Sequence, residues 1–182
     1  MNIFFCLFKV TNNSCVVHKK FQSSIPECYG PYGGNKENRT TYTPVNDTVT
    51  PNAYVCVLIR NFINFIFRWT YQTSSQLRGS SSRGLISRYG GGGFVQDLTL
   101  NYSGAKAQLD DLNANLWLDR GTRVVFLDFT VYNANINLFC QIKLTVEFPA
   151  SGGAVPSKSF STVKLIRVSF LITDKKKDKE IQ

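Results

Sequence analysis

The sequence carries a single histidine, His18, among 182 residues. That scarcity removes the Ser-His-acid and Cys-His arrangements of hydrolytic catalysis unless His18 itself takes part. His18 lies between Cys15 and Cys28, where an exposed loop position is the simpler reading. No C-x-x-C and no H-E-x-x-H occurs, so the common redox and zinc signatures are missing. Asp110 and Asp111 are adjacent on an expected helix, about 100° apart, and do not converge on one ion. The chain therefore reads as a non-enzyme without cofactor or metal. Long apolar runs are also lacking. The best candidate, Tyr54 to Phe67, contains Arg60 and falls short of the roughly 20 residues of a membrane span. The opening "MNIFFCLFK" has no basic n-region and no small-residue cleavage site, which makes it a poor secretory signal.

What is present suits one folded domain. Hydrophobic residues make up 43% and aromatics 13%, which excludes a disordered composition. The net charge of +9 is scattered, and no nucleic-acid motif accompanies it, so it reads as a solvated basic surface. The cysteines are Cys6, Cys15, Cys28, Cys56 and Cys140, an odd count that assigns no pairing alone. N-x-S/T sequons stand at Asn12, Asn38, Asn46 and Asn101.

Periodicity predicts the elements. "CVVHKKFQSSIPEC" reads as a short helical turn limited by Pro26, and "SSQLRGSSSRG" as a loop. The run "RYGGGGF" reads as a flexible turn or bulge ahead of a strand beginning near Phe94. In "GAKAQLDDLNANLWLDRG", Ala105, Leu109, Leu112 and Leu116 form one helical stripe. Ser103 suits the N-cap and Gly121 ends the segment. From Ile136 to Phe148 apolar and polar residues alternate, which predicts a long strand with one wet face and Cys140 on the buried side. "FSTVKLI" suits one more strand. The fold class is α+β: an antiparallel β-sheet packed with a few α-helices, and loop-rich.

The block "NLWLDRGTRVVFLDFTVYNANINLFCQIKLTVEFPASGGAVPS" closely resembles the extracellular polycystin domain of the polycystin-2-like cation channels. "NNSCVVH", "ECYG", "RYGGGGFVQDL" and "TVKLIR" are similar islands in the same order. The resemblance implies one subunit of a calcium-permeable channel, with this domain between the first two membrane helices on the extracellular or lumenal side, in a plasma or ciliary membrane. It implies a cover over the pore, a homo- or heterotetramer with other polycystin subunits, and no nucleic-acid partner. It also implies a Cys15–Cys28 disulfide and glycans on Asn12 and Asn46, with Asn38 and Asn101 secondary. The motif residues Trp117, Asp119, Arg120, Gly121, Arg123, Asp128, Tyr132, Asn133 and Asn135 take structural roles by the same resemblance.

Three stretches depart from the family: residues 1–9, an insertion at 51–68, and the charged tail 168–182. Residues 10–167 are then the domain. Val168-Ser169 can be encoded as a splice-donor consensus, and "FINFIFR" as a pyrimidine-rich tract closing in AG. The departures thus read as retained intron segments in a gene-model fragment. Such a fragment lacks the pore and does not conduct alone. The alternative is a free secreted adhesion or glycan-binding domain. A basic nucleic-acid binder is favoured by charge alone.

Overall fold

The structure is a computed structural model that describes residues 3–42 and 68–164. The strands are β1 (Ile3–Lys9), β2 (Ser82–Arg83), β3 (Arg88–Tyr89), β4 (Phe94–Leu98), β5 (Thr122–Asn133), β6 (Leu138–Glu147) and β7 (Val155–Lys164). The helices are α1 (Ser74–Leu77) and α2 (Tyr102–Ala114), with a 3-10 turn at Lys19–Phe21. Five strands form one sheet in the order β4-β1-β5-β6-β7, and β2 and β3 form a separate two-stranded ribbon. All the pairings are antiparallel. The expected antiparallel sheet is therefore present, and helix is its minor partner.

β1 corrects the expected domain boundary. Residues 1–9 read as a segment outside the domain, yet β1 lies between β4 and β5 and pairs with both. A strand with neighbours on both edges and cover on both faces needs apolar residues in both registers, and "IFFCLF" supplies them. Leu7 joins Trp69, Phe94, Leu112, Trp117 and Val125 in the core on one face. Phe8 joins Tyr89, Val124 and Phe126 on the other. β5 is double-sided for the same reason, with Val125 turned to the first core and Val124 and Phe126 to the second.

α2 covers the first face through Leu112. The expected four-residue stripe is narrower than its period suggests. The helix ends at Ala114, and Leu116 follows with φ +54°, which takes it off the helical face. Leu109 and Leu116 are exposed, while Leu112 is buried. The N-cap is Asn101 rather than Ser103. Part of the expected loop at residues 74–84 is ordered. Thr73 and Gln76 close a reciprocal capping box on α1, the arrangement in which side chain and backbone satisfy each other's free groups.

The glycine run is a close-approach site rather than a flexible turn. A Cβ at Gly91 would lie 2.1 Å from the carbonyl oxygen of Gly79, and one at Gly79 would lie 2.2 Å from that of Gly91. The two backbones cross here, and only glycine lets them touch. Gly93 has φ +136°, a conformation that side chains disfavour.

β6 runs from Leu138 to Glu147, and its expected wet face is covered at one end. Thr145 and Glu147 are buried, whereas Leu144 and Val146 on the expected core face are partly exposed and Ile136 lies outside the strand, exposed. The ribbon β2–β3 and its connecting turn reach that second face, as Glu147 shows below. Of the expected insertion 51–68, residues 51–67 lie outside the described residues, as does the tail. Arg68 is integrated: it is buried, pairs with Asp111, and its carbonyl accepts the Trp117 Nε1–H at 2.9 Å. Asp111 is thus partnered, where a solvated face was expected.

Candidate functional site

One end of the sheet gathers the most polar order. Here β1 finishes, β5 and β7 begin and β6 ends, because Lys9 is opposite Thr122, Val124 opposite Glu147, and Glu147 opposite Val155. Arg123 sits at this end, buried. Its Nε donates to the Gly30 carbonyl at 2.8 Å and its Nη2 to the Tyr29 carbonyl at 2.8 Å. Its Nη1 donates to the carbonyls of Arg120 and Thr122. Burial lowers the guanidinium's affinity for its proton, against the attraction of Asp119 and Tyr89, and the side chain stays charged because its ordinary value is so high.

Tyr29 and Gly30 directly follow Cys28, so Arg123 anchors the base of the disulfide loop. Cys15 and Cys28 are bonded, with Cα atoms 5.5 Å apart. Ser14 Oγ accepts from Gly30 N at 2.8 Å, and Asn12 Oδ1 from Cys28 N at 3.2 Å. Within the loop Val16, Phe21 and Ile25 are exposed. The loop is held at its base by the crosslink and polar bonds; of its apolar side chains Val17 is partly covered, while the rest are exposed.

Beside it stands a finger, residues 84–87, between β2 and β3. Its tip residues Leu85 and Ile86 are 70% and 49% exposed. Its backbone closes on a carboxylate. Glu147 is fully buried and accepts from the N–H groups of Leu85, Ile86 and Ser87 and from the Tyr89 hydroxyl at 2.8 Å. Burial alone would raise this carboxyl, but the bonds from Tyr89 and the three backbone N–H groups outweigh it and hold the group below its ordinary range. Gly84 fits because a Cβ there would meet the Glu147 carboxylate. Between loop and finger lies a groove of about 270 Å³, bordered by Tyr32, Ile86, Arg123 and Phe148. Sequence reading missed Glu147, since an acid on an alternating strand signals solvent.

The other expected residues divide by place. Asp119 stands at the same end. It accepts from Lys9 Nζ at 2.8 Å, Gly121 N at 3.0 Å and Thr122 Oγ1 at 3.2 Å. Lys9 is 2% exposed, and burial lowers its ammonium pKa against the pull of Asp119. Its Nζ lies 3.8 Å from the Tyr42 ring centroid, a second stabilising contact for a desolvated charge. The Gly121 carbonyl accepts from Val10 N, and Trp117 is in the first core. Asp128 lies mid-sheet, 3.4 Å from Lys143 Nζ. At the far end, Tyr132 donates to Asn137 and its ring lies 4.5 Å from Phe139. Asn133 Oδ1 accepts from Asn135 N at 3.0 Å, shaping the β5–β6 turn.

Among the sequons, Asn12 and Asn101 are exposed. Asn38 is half-buried, with Oδ1 bonded to Thr40 N and Oγ1. Asn46 lies outside the described residues. No helix among those residues is long and apolar enough to cross a membrane.

The Polycystin domain family matches residues 6–166, a range that takes in most of β1. Human polycystin-2-like protein 1 is 46% identical over 159 residues, covering 87% of this chain and 17% of that protein. Zebrafish (Danio rerio) polycystin-2 is 43% identical over 159 residues, covering 87% and 16%. Polycystin-2 of Caenorhabditis elegans is 40% identical over 161 residues, covering 88% and 20%. The chain thus spans a fifth or less of these curated relatives.

Proposed function

This chain belongs to the polycystin domain family, and from that premise we propose that it is the extracellular domain of a polycystin-2-like, calcium-permeable cation channel subunit. In this reading it contributes to tetramer assembly and gating, and its partners are other polycystin subunits. The pore and the membrane helices belong, in this reading, to other parts of a longer subunit, and the domain does not conduct alone. In the same reading residues 51–67 and 168–182 are retained intron segments, Arg68 belonging to the fold by its bonds, and the domain faces the extracellular or lumenal side. Glycans sit on Asn12 and Asn46, with Asn38 and Asn101 as secondary positions.

The observation that carries the reading is the finger. An exposed apolar tip is ordinarily mobile and costly in water. Here it is clamped by a fully buried carboxylate beside a crosslinked loop. Order imposed on exposed apolar residues suits a surface made for another protein. Leu85→Ser with Ile86→Ser tests it, because neither side chain supports the fold. In a channel subunit completed with its membrane helices, the double variant reaches the membrane folded but yields fewer tetramers and less current. Unchanged tetramer recovery and current would remove the finger from the interface. Recovery of the 182-residue chain as a free secreted product, with no transcript reading on into membrane helices, would instead support the adhesion-domain alternative.

A further inference from the structure

The second face of the sheet carries a cavity of about 440 Å³, within the range of small-molecule sites. The strand registers build its floor. Asp97 of β4, Phe4 of β1, Asp128 of β5 and Lys143 of β6 lie in one cross-strand row. Cys6 and Phe126 form the next row, and Phe8 follows. The roof is the crossing of residues 77–80 with the glycine run, where Gly79 and Gly91 touch backbone to backbone. Gly90 borders the space, and a Cβ built there meets nothing within 4 Å. There is open room for a side chain at that position.

Asp128 is the group left unsatisfied. It borders the cavity and is 8% exposed. Lys143 approaches its Oδ2, while Oδ1 is buried without a hydrogen-bond partner. A desolvated acceptor of this kind costs free energy until a donor reaches it. The carboxylate torsion is soft, so Oδ1 can turn toward the space without a backbone change. Asp97, in the same row, forms no ion pair among the described residues. The phenylalanine rings supply faces that attract positive charge. Lys143 already shows that this wall accepts an ammonium: its Nζ lies 5.1 Å from the Phe126 ring centroid and 2.8 Å from Ser82 Oγ.

We propose that this cavity binds a small organic ammonium. Its N–H groups donate to Asp128 Oδ1 and Asp97, and its apolar body lies along Phe4, Phe8 and Phe126. An anionic ligand would meet Lys143 and Arg78 at the border but would leave Oδ1 unpaired. The cavity lies on the same face as the finger's groove but shares no lining residue with it, so it stands whether or not that groove joins subunits.

The test uses the full chain with benzylammonium as probe and benzyl alcohol and benzoate as controls, read by ligand-observed NMR and calorimetry. Benzylammonium binds saturably, and neither control binds comparably. Gly90→Leu fills the cavity and abolishes binding. Asp97→Asn, at an exposed position, weakens it roughly tenfold, the worth of about one charge-assisted hydrogen bond. Absence of saturable binding to the unaltered chain overturns the proposal, as does equal binding by benzoate. Unchanged affinity in folded Gly90→Leu places the ligand elsewhere and overturns it too. Should that variant fail to fold, unchanged affinity in Asp97→Asn excludes the cavity in its stead.

Discussion

Glu147 and Arg123 are buried charges whose bonds hold surface segments in place. Glu147 sits below its ordinary value of 4.5. A carboxyl depressed by folding adds stability fully above its unfolded value, and that stability is lost as pH falls through the folded value. The finger should therefore loosen only below about pH 4.5. Amide exchange of Leu85, Ile86 and Ser87, corrected for intrinsic rate, checks this. Glu147→Gln should expose the same amides at neutral pH, at a cost of about 1.5–3 kcal/mol for charge-assisted bonds. Protection unchanged in that variant would mean the finger is held otherwise. Arg123→Lys should also destabilise, by roughly 2 kcal/mol, because one ammonium cannot span carbonyls on both Tyr29–Gly30 and Arg120–Thr122. A thermal midpoint equal to that of the unaltered chain would show that the fork is dispensable.

At the scale of the element, β6 shows how alternation misleads when both faces are covered. Leu144→Asp puts a charge on a partly covered apolar face. Lys143→Asp looks mild by pattern, but Lys143 is paired across the ladder with Asp128 and donates to Ser82. The new carboxylate would oppose a buried one, so both variants should lower the unfolding midpoint markedly. A neutral Lys143→Asp would show that the second face is wetter than its packing indicates. β1 makes the stronger case. Deleting residues 1–9 removes the strand that joins β4 to β5, together with Leu7 and Phe8 from the two cores. The truncated chain should lose cooperative unfolding. A truncated chain that still melts sharply would return this segment to the margin of the domain.

At the scale of the molecule, one end of the sheet carries both the finger and the disulfide loop, and the loop there leans on its crosslink. The two cysteines are 13 residues apart, and closing a loop of that size is worth roughly 3 kcal/mol by the chain-entropy account. Val16, Phe21 and Ile25 offer no packing in exchange, being exposed. Cys15→Ser should therefore lower stability in denaturant by about that amount, and in a completed channel subunit it should reduce current while much of the protein is still made. Normal current from the variant would separate the loop from gating.

The strand Leu138–Glu147, the helix about Leu112 and the strand at Phe94 were all legible in the sequence, because each rests on local periodicity. The family was legible because a long unbroken block of residues carries it. Membership of β1 was not legible. An apolar run with no alternation fits a central strand and a stray segment equally, and only its pairing with Phe94–Leu98 and Thr122–Asn133 decides. The buried role of Glu147 was likewise invisible, and Arg123 was marked by the resemblance alone, not by any pattern of its neighbours. Their partners lie about 60 and 94 residues away in the chain, and charge on a strand signals water until folding brings donors or carbonyls to replace it. Local order follows from neighbours in sequence. Which polar groups may be buried follows from neighbours in space, and those the tertiary structure alone supplies.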